Sequence, residues 1–493
     1  MKNRFNVGVA HDHDHYRWWA LSCTSLGMLL AATNSGTLII ALPDLERALK
    51  TSILSLVWVI LAYMIASTVL VLSAGRLSDL FGRKRAYVGG FALFALASLG
   101  AGFASDATQL ILWRIVQGVG AAFLFANAAA LVTDAFPREE LGLAMGTNTM
   151  VAAIGLVLGP VLGGALVAVG WQWVFWFNVP FAAAGAIWGG LVLHELARPD
   201  SVRGYDVPGV LAFVLGLTGL VLGVSKGGIT QWDDPVVIVS LIVAVVLLPL
   251  FVLIERRASA PMLDLTIFEN RLFATATAAA FINGLSRFAL MFVFVFYFQG
   301  AQGDDAVTAG IKLTPMAVGM LVASPLAGIW ADRHGSRMLA ASGMVLTAIG
   351  LAAMTTLQVH SAYWQSAVWL ALVGIGSGLF NSPNTAAMMG AVPPYRRGIA
   401  AGARTMLQNT GAVLSIAFVM AIVTAAVPQD VLLKIFSGVA SGLSTARLDP
   451  FIHNMHTALW VLAATSVVGA IVSLMRPRHV QAEAEASPEA VAA

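Results

Sequence analysis

Charge is scarce in this chain: 11% of its 493 residues are charged, whereas 58% are hydrophobic. Soluble domains carry about 25% charged residues, so the charges here are too few to cover a water-facing surface. This shortage excludes an ordinary soluble protein. It predicts a chain whose main partner is the lipid bilayer, where each spanning helix needs about 20 apolar residues.

Cysteine is almost absent, and so are the motifs of familiar catalytic sites. The single cysteine, Cys23, excludes a disulfide within the chain and a cysteine-based metal site. The phosphate loop G-x-x-x-x-G-K does not occur, which argues against direct use of ATP. Because the sequence contains no metal-ligand cluster or nucleophile constellation, we expect no catalytic residue, no bound metal, no cofactor and no enzyme activity.

Long apolar runs fill most of the sequence, and about 14 of them have spanning length. Backbone groups in lipid find no water partner, so runs this long must form helices. The first run, over residues 18–42, is too long for the core of a signal peptide and is interpreted as a retained helix.

Lysine and arginine are concentrated in alternate loops, which predicts the orientation of the chain. The positive-inside rule places these loops and both termini in the cytoplasm, so the number of spans is even. We therefore expect a multi-pass protein of the cell (inner) membrane. The net charge of +3 does not indicate a nucleic-acid partner, because the basic residues are spread over short loops rather than gathered in one patch.

The polar chain ends predict solvated cytoplasmic tails over residues 1–16 and 476–493. The first tail contains a tract of histidine and aspartate, His11 to His15, which could also bind a transition metal weakly. In the longest loop on the other side, an amphipathic pattern predicts a short helix around residues 431–439.

Two loops repeat one pattern in different halves of the chain. GRLSDLFGRKR occupies residues 75–85 and GIWADRHGSR residues 328–337, and both read G-x3-D-x2-G-x-[KR]. A four-residue step from glycine to aspartate keeps these residues on one helix face, and the next glycine permits a tight turn.

With this loop the sequence resembles the major facilitator superfamily, and more narrowly its 14-helix drug:proton antiporter branch. Three further segments are similar to motifs of that branch: LWRIVQGVGAA at residues 112–122, GLVLGPVLGG at residues 155–164, and the A-L-P at residues 41–43. The resemblance implies an all-α integral membrane fold. It consists of a six-helix bundle over residues 17–195, two extra helices over 196–258 and a second six-helix bundle over 259–475.

The resemblance also implies that the repeated loop is a conformational latch. Asp79 would accept hydrogen bonds at the start of a helix in the second half, where the helix dipole favours an anion. Arg83 would pair with Asp134. In the alternative, the basic residues only set topology. The latch set is Gly75, Asp79, Gly82, Arg83, Asp134, Gly328, Asp332, Gly335 and Arg337.

A stripe of glycines in the fifth span corresponds to the antiporter motif of the branch. Glycines at four-residue steps form a smooth helix face that another backbone can approach closely. In the family this stripe meets the second half and governs opening, and ordinary helix packing is compatible with that role. The motif residues are Gly155, Gly159, Pro160, Gly163 and Gly164.

Three arginines lie inside apolar runs, where charge is costly and usually functional. The resemblance links Arg114 to proton coupling, with the bracing of helices 1 and 4 as the alternative. The position of Arg287 inside its span predicts that it contacts substrate or a lipid headgroup. Arg404 is either a structural residue or part of the cavity. The candidate cavity and coupling residues are Asn34, Arg114, Gln117, Asn283, Arg287, Asn381, Asn384, Arg404 and Gln408.

The first span departs from the branch, because Asn34 stands where many members carry an acid. Asparagine cannot carry a proton, so this residue weakens the case for coupling and for cationic substrates. A cavity with arginines and without acids favours anionic or neutral amphipathic molecules. Coupling through Asp134 or an outer-loop acid stays open.

These features together predict a monomeric secondary transporter that exports amphipathic small molecules by alternating access. Protons are the expected driving ion, as in multidrug efflux antiporters. The alternative within the same fold is an exporter of an endogenous anionic metabolite or lipid. A membrane receptor or enzyme is the least favoured function, because neither tail is long enough for a soluble output domain.

Overall fold

The computed structural model describes residues 13–136, 141–195, 206–229, 231–258, 261, 263–392, 397–425, 427–436 and 443–477. The regular elements in these ranges are helices, and 12 of them are long and apolar enough to cross a membrane. This agrees with the predicted all-α membrane fold. The count of 14 spans is not confirmed and stays a prediction, as do the predicted domain boundaries. Most of both predicted tails lies outside the described residues.

The first half of the chain forms five long helices, followed by a short helix that leads directly into a sixth longer one. Its first helix contains the predicted retained run. The helices are α1 (His13–Leu49), α2 (Ile53–Phe81), α3 (Arg83–Gly102), α4 (Ala107–Ala135), α5 (Leu141–Val169), α6 (Trp173–Trp176) and α7 (Asn178–Val192).

Two helices, α8 (Val207–Ile229) and α9 (Pro235–Arg257), separate the halves in sequence and pack against each other. Helix α8 also contacts helices of both halves. Helix α9 is the most apolar span, with a mean hydropathy of 3.3, and 22% of that window is buried. An apolar helix with so little protein around it fits a lipid-facing position.

The second half repeats the long helices of the first. A 3-10 turn, Leu265–Glu269, precedes it, and a π-helical turn, Phe296–Ala301, continues its first helix. The helices are α10 (Arg271–Val295), α11 (Ala306–His334), α12 (Ser336–Met354), α13 (Tyr363–Gly390), α14 (Arg397–Thr424), α15 (Gln429–Phe436) and α16 (Thr445–Leu474). Helix α15 confirms the predicted short helix up to residue 436, and residues 437–442 lie outside the described part.

Corresponding helices pack in the same pairs in both halves. The pairs α1–α5, α2–α4 and α3–α7 are matched by α10–α14, α11–α13 and α12–α16. The repeated loop supplies matching turns, because Gly82 has φ 102° and Gly335 has φ 83°. Glycine adopts such angles without steric cost. Each glycine N–H caps the preceding helix, by donating to Ser78 O or Ala331 O.

The two halves are linked by a hydrogen bond at one end of the helix bundle, and they pack against each other mainly through two pairs of helices. Arg76 Nη1 donates to the carbonyl oxygen of Pro261 at 2.5 Å, which links the end of α2 to the segment before α10. We call this the basic end, and the other the opposite end. Contacts between the halves are concentrated in α5–α11 and α2–α14.

Candidate functional site

Arg114 lies in a buried polar network of the first half and is 1% exposed. Its Nε donates to the carbonyl oxygen of Val59 at 2.9 Å, and its Nη1 donates to Gln117 Oε1. Its guanidinium carbon is 4.2 Å from the centroid of the Tyr63 ring. These contacts brace α4 against α2, whereas the alternative considered for this arginine is a brace between helices 1 and 4. A role in coupling stays a prediction.

Asn34 lies at the centre of the same network. Its Oδ1 accepts from Gln117 Nε2 and from Asn178 Nδ2, both at 3.4 Å. Gln117 Nε2 also donates to Ser98 Oγ at 2.7 Å. The network therefore joins α1, α3, α4 and α7 through neutral amides and hydroxyls around one arginine. Sequence reasoning missed Ser98 and Asn178, because nothing near them in the chain signals a partner on α1 or α4.

At the basic end of the first half, Arg83 lies against Asp134. Arg83 Nη1 is 2.9 Å from Asp134 Oδ1 and 2.7 Å from Oδ2. The backbone N–H of Arg83 donates to Glu195 Oε1 at 2.8 Å. Glu195 is thus a carboxylate at the start of α3, where the helix dipole favours an anion. It is an additional member of this cluster.

The remaining latch positions repeat between the halves. Gly75 faces Ala126 of α4, and Gly328 faces Ser382 of α13. The side chains of Asp79 and Asp332 lie outside the described part of the chain. Arg337 has a buried Nε without a hydrogen-bond partner among the described residues. The latch function of these residues stays a prediction.

The glycine stripe of α5 packs against α1, within the first half. A Cβ atom on Gly159 would lie 2.9 Å from Gly36 Cα, and one on Gly163 would lie 2.8 Å from Thr37 Cα. Gly155 likewise faces Ala32. This corrects the expectation that the whole stripe faces the second half, since periodicity gives a helix face but not its neighbour.

Gly164 and Pro160 are the motif residues of α5 that meet the second half. A Cβ atom on Gly164 would lie 2.6 Å from Val307 Cα of α11, and Gly310 of α11 packs against the Pro160 carbonyl. Small residues at this contact let the backbones of α5 and α11 approach closely.

Polar side chains of the second half gather where α10, α13 and α14 meet. Gln408 Nε2 donates to Asn381 Oδ1 at 3.5 Å. Arg404 precedes Gln408 by one turn, and its Nε is buried without a hydrogen-bond partner in the described chain. Arg287 is 6% exposed, and its Nε is likewise buried without a hydrogen-bond partner in the described chain.

Asn283 and Asn384 have partners inside the second half. Asn283 is fully buried, and its Nδ2 is 3.4 Å from Met344 Sδ. Asn384 Oδ1 accepts from Arg476 Nη2. Arg476 lies beyond the last span, and burial lowers its pKa to about 10. The sequence predicted that residue 476 begins a solvated tail, whereas the structure buries Arg476.

The halves also touch at the opposite end. Gln299 Nε2, in the π-helical turn, donates to the carbonyl oxygen of Ile40 at 3.0 Å. Helix α15 covers this turn, with the rings of Phe436 and Phe296 at 4.1 Å between centroids. Nearby, a surface cavity of about 310 Å³ is lined in part by Lys312 and Asp304, which form an ion pair with each other.

Comparison with known proteins identifies the family. The model of the Major Facilitator Superfamily matches residues 24–255 and 276–492. The chain belongs to the major facilitator superfamily. As a member, it is a multi-pass membrane transporter built on the fold described above.

Several curated superfamily members are similar to this chain. "Multidrug resistance protein Stp" of Mycobacterium tuberculosis is 32% identical over 407 residues, 82% of this chain and 75% of the relative. The "Tetracenomycin C resistance and export protein" of Streptomyces glaucescens is 29% identical over 81% of this chain and 74% of its own length. "Riboflavin transporter RibZ" of Clostridioides difficile is 26% identical over 93% of this chain and 97% of its own length.

A solved structure has the same fold. It is a bacterial homologue of the human lysosomal transporter Spinster, in an inward-facing and unoccupied conformation. The superposition has a TM-score of 0.66 and covers 94% of this superfamily member and 97% of the solved structure, and the two sequences are 13% identical. At that identity the likeness concerns the fold alone.

Proposed function

We propose that this superfamily member is a secondary exporter of amphipathic small molecules, of the multidrug-efflux type. The observation that carries the proposal is the interface between halves, where Gly164 and Gly310 bring the backbones of α5 and α11 together. The names of two relatives, a multidrug resistance protein and a tetracenomycin C resistance and export protein, support export as the direction.

Alternating access follows from this interface as part of the proposal. One half rocks against the other around a substrate near the membrane midplane. The Gln299–Ile40 contact holds the opposite end together, and it must break for that end to open. The Arg83–Asp134 pair keeps α3 and α4 together at the basic end, and Asp79 completes the latch there.

Protons are the proposed driving ion. The network around Arg114 contains no carboxylate among its described members, because Asn34 occupies its centre. Coupling therefore uses an acid at a helix end, and Asp134 is the candidate because it already pairs with Arg83. The protein works as a monomer in the cell (inner) membrane, with both termini in the cytoplasm.

Dye efflux from proteoliposomes tests export and its driving force. We expect dye movement to follow an imposed pH gradient and to stop when the gradient is collapsed. The Asp134→Asn variant should lose the dependence on the gradient, whereas Asp449→Asn, beyond the latch, should keep it. Efflux that ignores the gradient in the unaltered protein would remove proton antiport.

A metabolite exporter is the second candidate. The match with the riboflavin transporter covers 97% of that relative's length. The name of this relative is compatible with transport of an endogenous compound by a chain of this fold. Transport of an endogenous compound with no transport of unrelated dyes would favour this candidate.

A further inference from the structure

Of the three helices that meet around Gln408, two contain arginines and none contains an acidic residue. The sequences of α10, α13 and α14 include neither aspartate nor glutamate. Two arginines, Arg287 and Arg404, lie inside these helices rather than at their ends. A cation in a low-dielectric interior is costly unless an anion or hydrogen-bond acceptor compensates it, so this region lacks a compensating charge of its own.

Neither arginine receives that compensation from the described protein atoms. The Nε atoms of both are buried without a hydrogen-bond partner in the described residues. The ion pairs found among those residues join other side chains. The guanidinium carbon of Arg287 is 5.2 Å from the centroid of the Phe288 ring. An aromatic face satisfies a cation only in part.

The packing of α10 on α14 sets the arrangement of the two arginines. Gly284 packs against the backbone of Gln408, and the Ala289 N–H donates to Ser415 Oγ at 3.1 Å, so the helices run in parallel. Arg287 lies three residues after Gly284 and Arg404 four residues before Gln408. At a rise of about 1.5 Å per residue, the two arginines lie on either side of Gln408, separated by about 10 Å along the axis.

We propose that this region binds the acidic group of an amphipathic organic anion, which Arg287 and Arg404 hold from two sides of Gln408. The ligand class is a carboxylate, sulfonate or phosphate carried on an apolar ring or chain. A guanidinium offers paired donors that match such groups. The amides of Gln408 and Asn381 supply hydrogen bonds to a second polar group. The inference rests on the proposed export function only for the direction of movement, since binding is measurable without transport.

The test is equilibrium binding of a fluorescent probe to the full chain in detergent, and fluorescence anisotropy is the signal that measures binding. Fluorescein serves as the anionic probe and ethidium as the cationic probe. We expect tighter binding of fluorescein. Arg287→Gln and Arg404→Gln should each raise its Kd by about tenfold or more, the size of a lost hydrogen bond to a charged group. The Kd of ethidium should stay the same or fall.

Arg447→Gln is the matched control for the loss of one positive charge. Arg447 lies at the opposite end, 49% exposed and paired with Asp430, so its loss should leave both Kd values unchanged. Arg287→Lys keeps the charge and should bind fluorescein better than Arg287→Gln does. If ethidium binds more tightly than fluorescein, or if the glutamine variants fold and bind fluorescein normally, the proposal is overturned.

Competition on the unaltered protein keeps the test independent of folding in the variants. Dodecyl phosphate should displace fluorescein, and dodecyltrimethylammonium should not. Nanodiscs of phosphatidylglycerol and of phosphatidylcholine separate a lipid headgroup from a free anion, since weaker fluorescein binding in the former identifies the lipid as the ligand. Equal displacement by both detergents would contradict an anion site. Anion binding without dye export would leave this inference standing and remove the proposed function.

Discussion

At the scale of single residues, Asn34 determines the chemistry of the first half. It accepts hydrogen bonds from Gln117 and Asn178 and is 1% exposed. Its side chain carries no charge at any pH, so Arg114 is balanced by a backbone carbonyl, an amide oxygen and the Tyr63 ring. An acid at this position would add a proton-binding group to a network that spans five helices.

The Asn34→Asp variant should therefore change the pH dependence that the unaltered protein has. We expect the pH profile of ethidium efflux to acquire a second transition, because the new carboxylate lies one hydrogen-bonded residue from Arg114. Efflux of ethidium across a series of pH values measures this. Asn34→Ser is the control, since it removes the amide without adding an acid. A folded variant with the same pH profile as the unaltered protein would show that this position does not couple.

At the scale of the helices, the close packing of α5 against α1 gives a second prediction. Gly159→Ala would place a Cβ atom 2.9 Å from Gly36 Cα, where only backbone can move. Overpacking of this kind costs about 1–3 kcal/mol, so the midpoint of thermal unfolding should fall. Gly190→Ala in α7 is the control, because nothing lies within 4 Å of its added Cβ. Equal midpoints for the two variants would contradict the tight α1–α5 contact.

The start of α11 depends on Asp305, whose Oδ1 accepts from the Thr308 N–H at 2.8 Å. This backbone hydrogen bond holds the pKa of Asp305 below its ordinary value. The stabilisation is thus present above the unfolded pKa of about 3.9 and is lost as the pH falls through the lower folded pKa.

Asp305→Ala should lower the free energy of unfolding by about 1 kcal/mol at neutral pH, as the loss of a helix N-cap does. The difference from the unaltered protein should shrink as the pH is lowered below about 4. Unfolding at several pH values in an acid-stable detergent measures both. Asp233→Ala, an exposed acid that does not cap α9, should change little. A difference that persists in acid would assign the effect to packing.

At the scale of the whole molecule, the halves are held together at the opposite end by Gln299 and Ile40, beside α15. Cysteines in place of these two residues, in a Cys23→Ser background, should be joined by a short bifunctional thiol reagent and should then stop transport. The reason is that alternating access requires this contact to open. The control pair replaces Lys226 of α8 and Asp234, the N-cap residue of α9, which form an ion pair with each other. Full transport after cross-linking of the first pair would exclude rocking at this end.

Much of the architecture was predictable because it depends on local patterns. Apolar runs predicted membrane helices, and the repeated loop predicted equivalent turns, which Gly82 and Gly335 form with positive φ. The partners of the candidate site were less predictable. Asn34 and Asn178 are 144 residues apart, and Asn384 and Arg476 are 92 apart. No periodicity within one helix specifies which face of another helix it will meet.

The sequence by itself determined that this chain lies in a membrane, repeats one helical unit and carries arginines inside apolar runs that have no acid in their middle. Those properties follow from composition and spacing, which act along the chain. Only the tertiary structure decided that the glycine stripe of α5 faces α1, that Gly164 faces α11, and that Arg114 is enclosed while Arg287 and Arg404 have Nε atoms without partners in the described chain. The reason is that neighbours across a helix interface are selected by the packing of all the helices together.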